Sequence, residues 1–538
     1  MKSLGIVLKT VAAIFAFSVL TACGGGGGNG GGNREPGHDE VSDDGSISPA
    51  SLIVVHEPGL SSSLASEQSD FYFFDGVIGE RYLLTLISNT GDPDFGVFNS
   101  NILSDNSILL YSLQNSGKQE IEFKATVNQR YYIEVFGGFS QSNYELRIER
   151  SPRQLANGVT YPTNNKPAYE IITGDLNGDN LSDVAIMTRP GIYVGQEIII
   201  YYQTSTGTLG NPFTIDKMDI ASVDDFKGIA IGDFNSDGLN DLSVLTKNST
   251  FPNPTSVLIY QQNDSTHALD PYVEYELPGS YGSDISVGDV NNDDRDDVLV
   301  LSGSSLHILE QNQPGTLNSY YTNSLVNADF DNQNYIKTMD LGNDNDTDLV
   351  FRTGGLSFAT LTQEPPSGLT VSNIYSITAD YWPSFDAFDT GDVNNDGLDD
   401  IVAIDPAGSN ARLNIYHQDS SGSLTKSVTQ QPFSTIPCGL KVEDITGDGI
   451  DDLIGDNIIS GRIQVARHIP GIGYTESDTY TAFQSSTIGG CSYMKIFDVA
   501  DLNNDGYLDV VAGDLDIPNS TGISVLLSIE NTQKGSTL

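Results

Sequence analysis

Asp392-Val393-Asn394-Asn395-Asp396-Gly397-Leu398-Asp399-Asp400 is one of seven nine-residue stretches of the same design. The others begin at Asp175, Asp233, Asp289, Asp340, Asp444 and Asp501. Positions 1, 5 and 9 are aspartate in every copy: Asp175, Asp179 and Asp183; Asp233, Asp237 and Asp241; Asp289, Asp293 and Asp297; Asp340, Asp344 and Asp348; Asp392, Asp396 and Asp400; Asp444, Asp448 and Asp452; Asp501, Asp505 and Asp509. Position 3 is Asn177, Asn235, Asn291, Asn394 and Asn503 in five copies, Gly342 in the fourth and Thr446 in the sixth. Each stretch precedes a short apolar run of β character, such as Val184-Ala185-Ile186 or Val298-Leu299-Val300.

Such a loop is chemically suited to calcium. Hard cations take six to eight oxygens from carboxylates, amides, backbone carbonyls and water. Side chains at positions 1, 3 and 5 converge if the chain curls tightly, and the curl needs a residue at position 6 that accepts positive φ. That residue is Gly238, Gly397, Gly449 or Gly506, and elsewhere Asn180, Asp294 or Asn345, the types that tolerate a left-handed backbone. Position 7 offers its carbonyl, so its side chain is free to be apolar, as at Leu181 and Leu398. Position 9 closes the cage. The twelve-residue EF-hand pattern, with its terminal glutamate and flanking helices, does not fit. Clusters of Asp, Asn and Gly also make plain turns, but three invariant aspartates in seven copies demand more than a turn. Gly342 and Thr446 predict weaker or water-completed fourth and sixth sites, and Asp294 supplies an extra carboxylate to the third.

The loop starts are 58, 56, 51, 52, 52 and 57 residues apart. A period near fifty marks a propeller or similar repeat array. Each period contains four β-type runs, the content of one propeller blade. Gly228 to Gly232 is such a first run, Ile198 to Tyr202 a third, and Phe213 to Ile215 a fourth. The sequence ends where a seventh fourth strand is due, and Leu155 to Tyr161 resembles Leu209 to Ile215. Residues near 155–163 are therefore expected to supply that strand and remove the free edge. The unit resembles the FG-GAP/VCBS repeat of the integrin α-subunit propeller and of many bacterial exported proteins. The resemblance covers residues 155–538 and implies a seven-bladed β-propeller with Ca²⁺, up to seven ions, in the hairpin between the first two strands of each blade.

Ahead of the array, Lys2 and Lys9 precede an apolar run from Val11 to Leu20, which reads as a signal peptide over residues 1–22. Leu20-Thr21-Ala22-Cys23-Gly24 resembles the bacterial lipobox. That resemblance implies a lipidated Cys23, attachment to the membrane through it, and, from Gly24, sorting to the outer membrane or cell surface of a Gram-negative envelope. Residues 23–50 are glycine-rich and acidic, a tether that cannot bury a core. Residues 51–150 read as a separate all-β domain, with strands at Phe71–Phe74, Tyr82–Ile87 and Tyr131–Phe136. Asp92 to Phe98, Tyr131 to Phe136 and Tyr144 to Ile148 resemble the bacterial pre-peptidase C-terminal domain, which implies a small β-sandwich. Asp92 and Asp94 mark either a cation site or a turn.

The formal net charge is −47, and 26 of the 72 acidic residues lie in the seven loops. Nucleic acid, which needs a basic footprint, is excluded as a partner. Cys438 and Cys491, each shortly before a loop, can form a disulfide in an oxidising compartment or remain free thiols. No zinc-protease, nucleophile-elbow or P-loop motif is present. His307, His417 and His468 read as ordinary strand or edge residues at non-equivalent positions, and Tyr381 and Trp382 as a stacking surface or as packing. The reading is a calcium-binding surface lipoprotein whose propeller binds a protein or polysaccharide. An extracellular polysaccharide lyase or hydrolase is the alternative.

Overall fold

The computed structural model describes residues 40–41, 47–48, 51–53 and, apart from short internal stretches, 60–529. The chain divides into two compact units, Met1–Ser151 and Pro152–Leu538.

The first unit contains a five-stranded sheet and a four-stranded sheet. Strand Gln129–Phe136, at the centre of the larger sheet, buries Tyr131, Ile133 and Val135 and turns the residues between them outward, the period of two that a half-buried strand requires. The smaller sheet is built on Arg81–Thr90 and Ser142–Arg150. Both sheets feed one core. Phe123 of the smaller meets Tyr131 of the larger edge-on, with ring centres 4.6 Å apart. Tyr72 and Tyr144 satisfy each other's hydroxyls across the same core at 2.7 Å, so burial leaves neither without a partner. Asp94 begins a strand and accepts a hydrogen bond from Gln119 Nε2 at 3.2 Å.

The second unit shows seven four-stranded antiparallel sheets among the described residues. Six follow chain order in the same way, as in Ala168–Gly174, Asp183–Thr188, Glu197–Gln203 and Leu209–Asp216. The seventh takes Phe497–Ala500, Asp509–Gly513 and Ile523–Leu526 from the C-terminal end. Its fourth strand is Val159–Tyr161, paired antiparallel with Ile523, Ser524 and Val525. This is the segment that the resemblance between residues 155–161 and 209–215 marked for that position.

Second strands such as Asp183–Thr188 and Asp297–Ser302 are buried along their whole length, because a neighbouring sheet covers each face. The apolar clusters join consecutive sheets: Ala185 and Ile198 of the first pack with Ile229 and Val244 of the second. Ala168 and Ile171 of the first likewise pack with Val511 and Ile523 of the last. Each fully buried aliphatic side chain contributes about 1.5–3 kcal/mol. Gly391, just before a loop, is required for this packing, since a Cβ there would lie 2.6 Å from Val442 in the next sheet.

A glutamine latch repeats between sheets and has no counterpart in the sequence reading. A glutamine ends the third strand or stands one or two residues beyond it, and its Nε2 donates to the carbonyl of position 1 in the preceding loop. Gln203 reaches Asp501 at 3.0 Å, Gln262 Asp175 at 3.3 Å, Gln311 Asp233 at 2.8 Å and Gln418 Asp340 at 2.9 Å. Gln418 also donates to the Asp399 carbonyl at 2.7 Å and accepts from Gly342 N. Replacing it by alanine takes the partner from three part-buried backbone groups, each worth up to about 1–3 kcal/mol. Gln418→Ala should therefore lower unfolding free energy by at least about 2 kcal/mol in urea titrations, and an unchanged midpoint would contradict the latch.

The first strands converge on a cavity of about 290 Å³. Carboxylates on these strands bind the backbone of the next strand. Glu170 accepts from Ile229 N at 3.0 Å, Asp284 from Ile336 N at 3.0 Å, Asp389 from Val442 N at 3.0 Å and Asp498 from Thr173 N at 2.8 Å. Lysines neutralise them: Lys337 meets Asp389 at 3.0 Å, Lys441 meets Asp498 at 2.5 Å, and Lys495 meets both Glu170 and Asp284.

Candidate metal centres

All seven loops connect the first and second strands of their sheets and fold by the same internal hydrogen bonds. The position 1 carboxylate organises the curl. One oxygen accepts from the backbone N–H of position 5, as in Asp396 to Asp392 at 3.0 Å, and the other from position 6, as in Gly397 to Asp392 at 2.7 Å. The same pair occurs at Asp175, Asp233, Asp289, Asp340, Asp444 and Asp501. Position 6 has positive φ in every loop, from 61° at Asp294 to 90° at Gly449.

Position 4 is left-handed as well, at Gly178, Ser236, Asn292, Asn343, Asn395, Gly447 and Asn504. The sequence reading missed this second turn, although its signal was present in the restriction of position 4 to Gly, Asn and Ser. Gly397 is there for its φ of 83°, since a Cβ would meet nothing within 4 Å. Gly397→Ala should cost about 1–2 kcal/mol of stability. Gly397→Asn, the residue natural at positions 180 and 345, should cost less. Equal losses in chemical denaturation would refute the backbone explanation.

Position 9 is a structural anchor as well as a candidate ligand. In all seven loops its Oδ1 accepts a backbone N–H at the end of the third strand or just after it: from Gln203, Gln262, Gln311, Gln363, Gln418, His468 and Ser528. In five its Oδ2 accepts from position 2, as in Val290 to Asp297 at 3.2 Å. In the sixth, Asp452 accepts from Thr446 N at 3.1 Å, and in the fifth, Asp400 meets His417 Nδ1 at 2.8 Å. His417 is thus a loop partner, also 3.2 Å from Asn394 Nδ2, rather than an ordinary strand residue.

The donor set fits a hard divalent cation by three observations. In the fourth loop, one oxygen from each of Asp340, Asp344 and Asp348 lies within 4.8 Å of the others. This is the loop in which Gly342 leaves position 3 without a side-chain donor. In the third and fifth loops, buried oxygens at the proposed ligand positions, Asn291 Oδ1, Asp293 Oδ1 and Asn394 Oδ1, have no hydrogen-bond donor. Burial also pushes the carboxyls of Asp183, Asp241, Asp297 and Asp509 up to about 7 and that of Asp348 to about 6. A divalent cation beside such groups reverses that penalty and favours the carboxylate.

The loops are not equivalent. In the first and second, Asn177 and Asn235 accept from the position 5 N–H at 3.0 and 2.8 Å. Arginines share the position 5 carboxylates of two others, Arg295 with Asp293 at 2.8 Å and Arg153 with Asp505 at 3.1 Å. Arg153 also stacks on Tyr507, its guanidinium carbon 3.7 Å from the ring centre. Asn503 donates its backbone N–H to Asp501 at 3.3 Å, which places it on the inner turn of the last loop. Cys23, Cys438, Cys491, Asp92, Tyr381 and Trp382 lie outside the described residues.

The chain has a β-propeller-like all-β fold and carries FG-GAP-like repeats, the family that matches residues 233–300 and 392–455. Those segments hold the second, third, fifth and sixth loops. No curated protein matches the sequence. Among solved structures, an Agrocybe aegerita lectin, described as recognising non-reducing terminal N-acetylglucosamine, is 13% identical with a TM-score of 0.41. That match spans 70% of this chain and 94% of the lectin. The periplasmic gluconolactonase of Pseudomonas aeruginosa is 11% identical over 77% of this chain and 99% of its own, with a TM-score of 0.40. The pre-peptidase C-terminal domain of Bacillus anthracis collagenase is 18% identical over 18% of this chain and 93% of its own, with a TM-score of 0.17.

Proposed function

We propose that this protein is a calcium-rigidified binding module: a seven-bladed propeller that presents its loops to a protein or polysaccharide partner. The observation that carries the metal is the recurrence of one pre-folded loop, with donor-less buried oxygens at position 3 of the third and fifth copies and position 5 of the third. Calcium fits because every ligand on offer is a hard oxygen, the donors it prefers. A small β-sandwich precedes the propeller, and lipid at Cys23 holds both at the outer membrane or cell surface, beyond a glycine-rich tether.

Binding rather than catalysis is favoured by the central cavity. Two of its pairs, Lys337 with Asp389 and Lys441 with Asp498, are closed ion pairs whose acids also accept backbone N–H groups. Groups so engaged hold strands in place and are poorly poised to exchange protons with a substrate. The test is to incubate residues 35–538 with millimolar calcium and a panel of bacterial, algal and host polysaccharides. Retention that chelator abolishes, without new reducing ends or unsaturated sugars, is expected. Calcium-dependent product release would replace the binding module with an enzyme.

A further inference from the structure

At the cavity, Lys495 differs from its two neighbours. Lys337 and Lys441 are each ion-paired with a single carboxylate among the described residues. The Lys495 amine lies between two, 2.7 Å from Asp284 Oδ1 and 3.1 Å from Glu170 Oε1. Both acids are almost fully buried, with side chains 6% and 5% exposed. The remaining oxygen of each is fixed by a backbone donor: Asp284 Oδ2 by Ile336 N and Glu170 Oε2 by Ile229 N, both at 3.0 Å. Lys495 is fixed too, since it forms a parallel backbone bridge with Glu170 and its carbonyl accepts from Ile171 N at 2.8 Å. The Tyr335 ring covers the amine at 5.0 Å.

We propose that Lys495 and Asp284 form an intramolecular isopeptide bond, with Glu170 relaying the proton. The nucleophile is Lys495 Nζ and the electrophile is Asp284 Cγ. Formation of the N–C bond breaks the bond from Cγ to Oδ1, and Oδ1 leaves as water. The ammonium supplies both protons of that water. One passes directly across the hydrogen bond to Oδ1, and the other goes by way of Glu170, which ends unchanged. Ile336 N–H polarises the oxygen that stays and becomes the donor to the new amide carbonyl. No oxidant or cofactor is needed.

Three features favour the step. Holding amine and acid in contact removes the entropic barrier of a bimolecular condensation. Burial raises the Glu170 carboxyl, the direction that a proton relay needs. Condensation also replaces the part-buried Lys495–Asp284 ion pair with a neutral amide, and leaves Glu170 held by Ile229 N. The product is a covalent strut from the first strand of the third sheet, Gly282–Gly288, to the residue just ahead of the first strand of the seventh. It would make the array resistant to forced unfolding.

Peptide mass spectrometry of the full chain decides the matter. After digestion, the peptides carrying Asp284 and Lys495 should appear joined, at the sum of their masses less one water, with no tryptic cleavage after Lys495. Lys495→Arg keeps the charge but lacks the amine, and Glu170→Gln lacks the relay. In both the peptides should separate, while Lys337 and Lys441 remain cleavable throughout. Separate peptides and complete cleavage after Lys495 in the unaltered protein would overturn the proposal. A joined peptide in Glu170→Gln would overturn it as stated.

Discussion

Removing calcium lowers the melting temperature of the Pro152–Leu538 unit on the order of 10 °C and leaves the Met1–Ser151 unit unchanged. With free calcium at a hundred times its dissociation constant, each filled site contributes about 2.7 kcal/mol. Three such sites give about 8 kcal/mol, at roughly one to two degrees per kcal/mol for a unit of this size. The first unit contains none of the seven loops and serves as an internal reference. Differential scanning calorimetry with calcium and with excess chelator should show one transition moving and one fixed. Two fixed transitions would remove calcium from the account.

Asp297→Ala destabilises the second unit by about 2–6 kcal/mol even when chelator is present. Asp297 is fully buried, and its two oxygens bind Val290 N at 3.2 Å and Gln311 N at 2.8 Å. Alanine leaves both donors buried without acceptors, at about 1–3 kcal/mol each. It also loosens Gln311, whose side chain latches the Asp233 carbonyl. Asp297→Asn keeps the size and one acceptor oxygen, so it should fall between alanine and the native residue. Urea titration in chelator separates the two roles of position 9. A variant as stable as the native protein without calcium would mean that Asp297 acts only as a ligand.

The repeated loops and four-strand units were legible in the sequence because three aspartates at fixed spacing mark each copy. The donation of Val159–Tyr161 to the last sheet was legible for a related reason, since its neighbourhood repeats the pattern of Leu209 to Ile215. The glutamine latch was not. Gln203, Gln262, Gln311 and Gln418 stand 28, 29, 22 and 26 residues after their loop starts, so variation in hairpin length hides a constant place in space. The cavity network was hidden similarly: Glu170 and Asp284 precede their loops by five residues, Asp389 and Asp498 by three. Position 9 is legible only as a ligand, because sequence shows a carboxylate's charge but not which backbone donors face it. In the sequence His417 looks like an ordinary strand residue, because the histidines of other units occupy different registers. Its contact with Asp400 arises from the pairing of the second and third strands of its own sheet.

The most direct test of the account is the calcium stoichiometry of the purified chain, read by equilibrium dialysis with metal analysis at saturating calcium. Several ions per chain, up to seven, are predicted, with Asp340→Ala, Asp344→Ala and Asp348→Ala together removing one. Less than one ion per chain at millimolar calcium would contradict the central claim and leave the loops as turns held by their own hydrogen bonds.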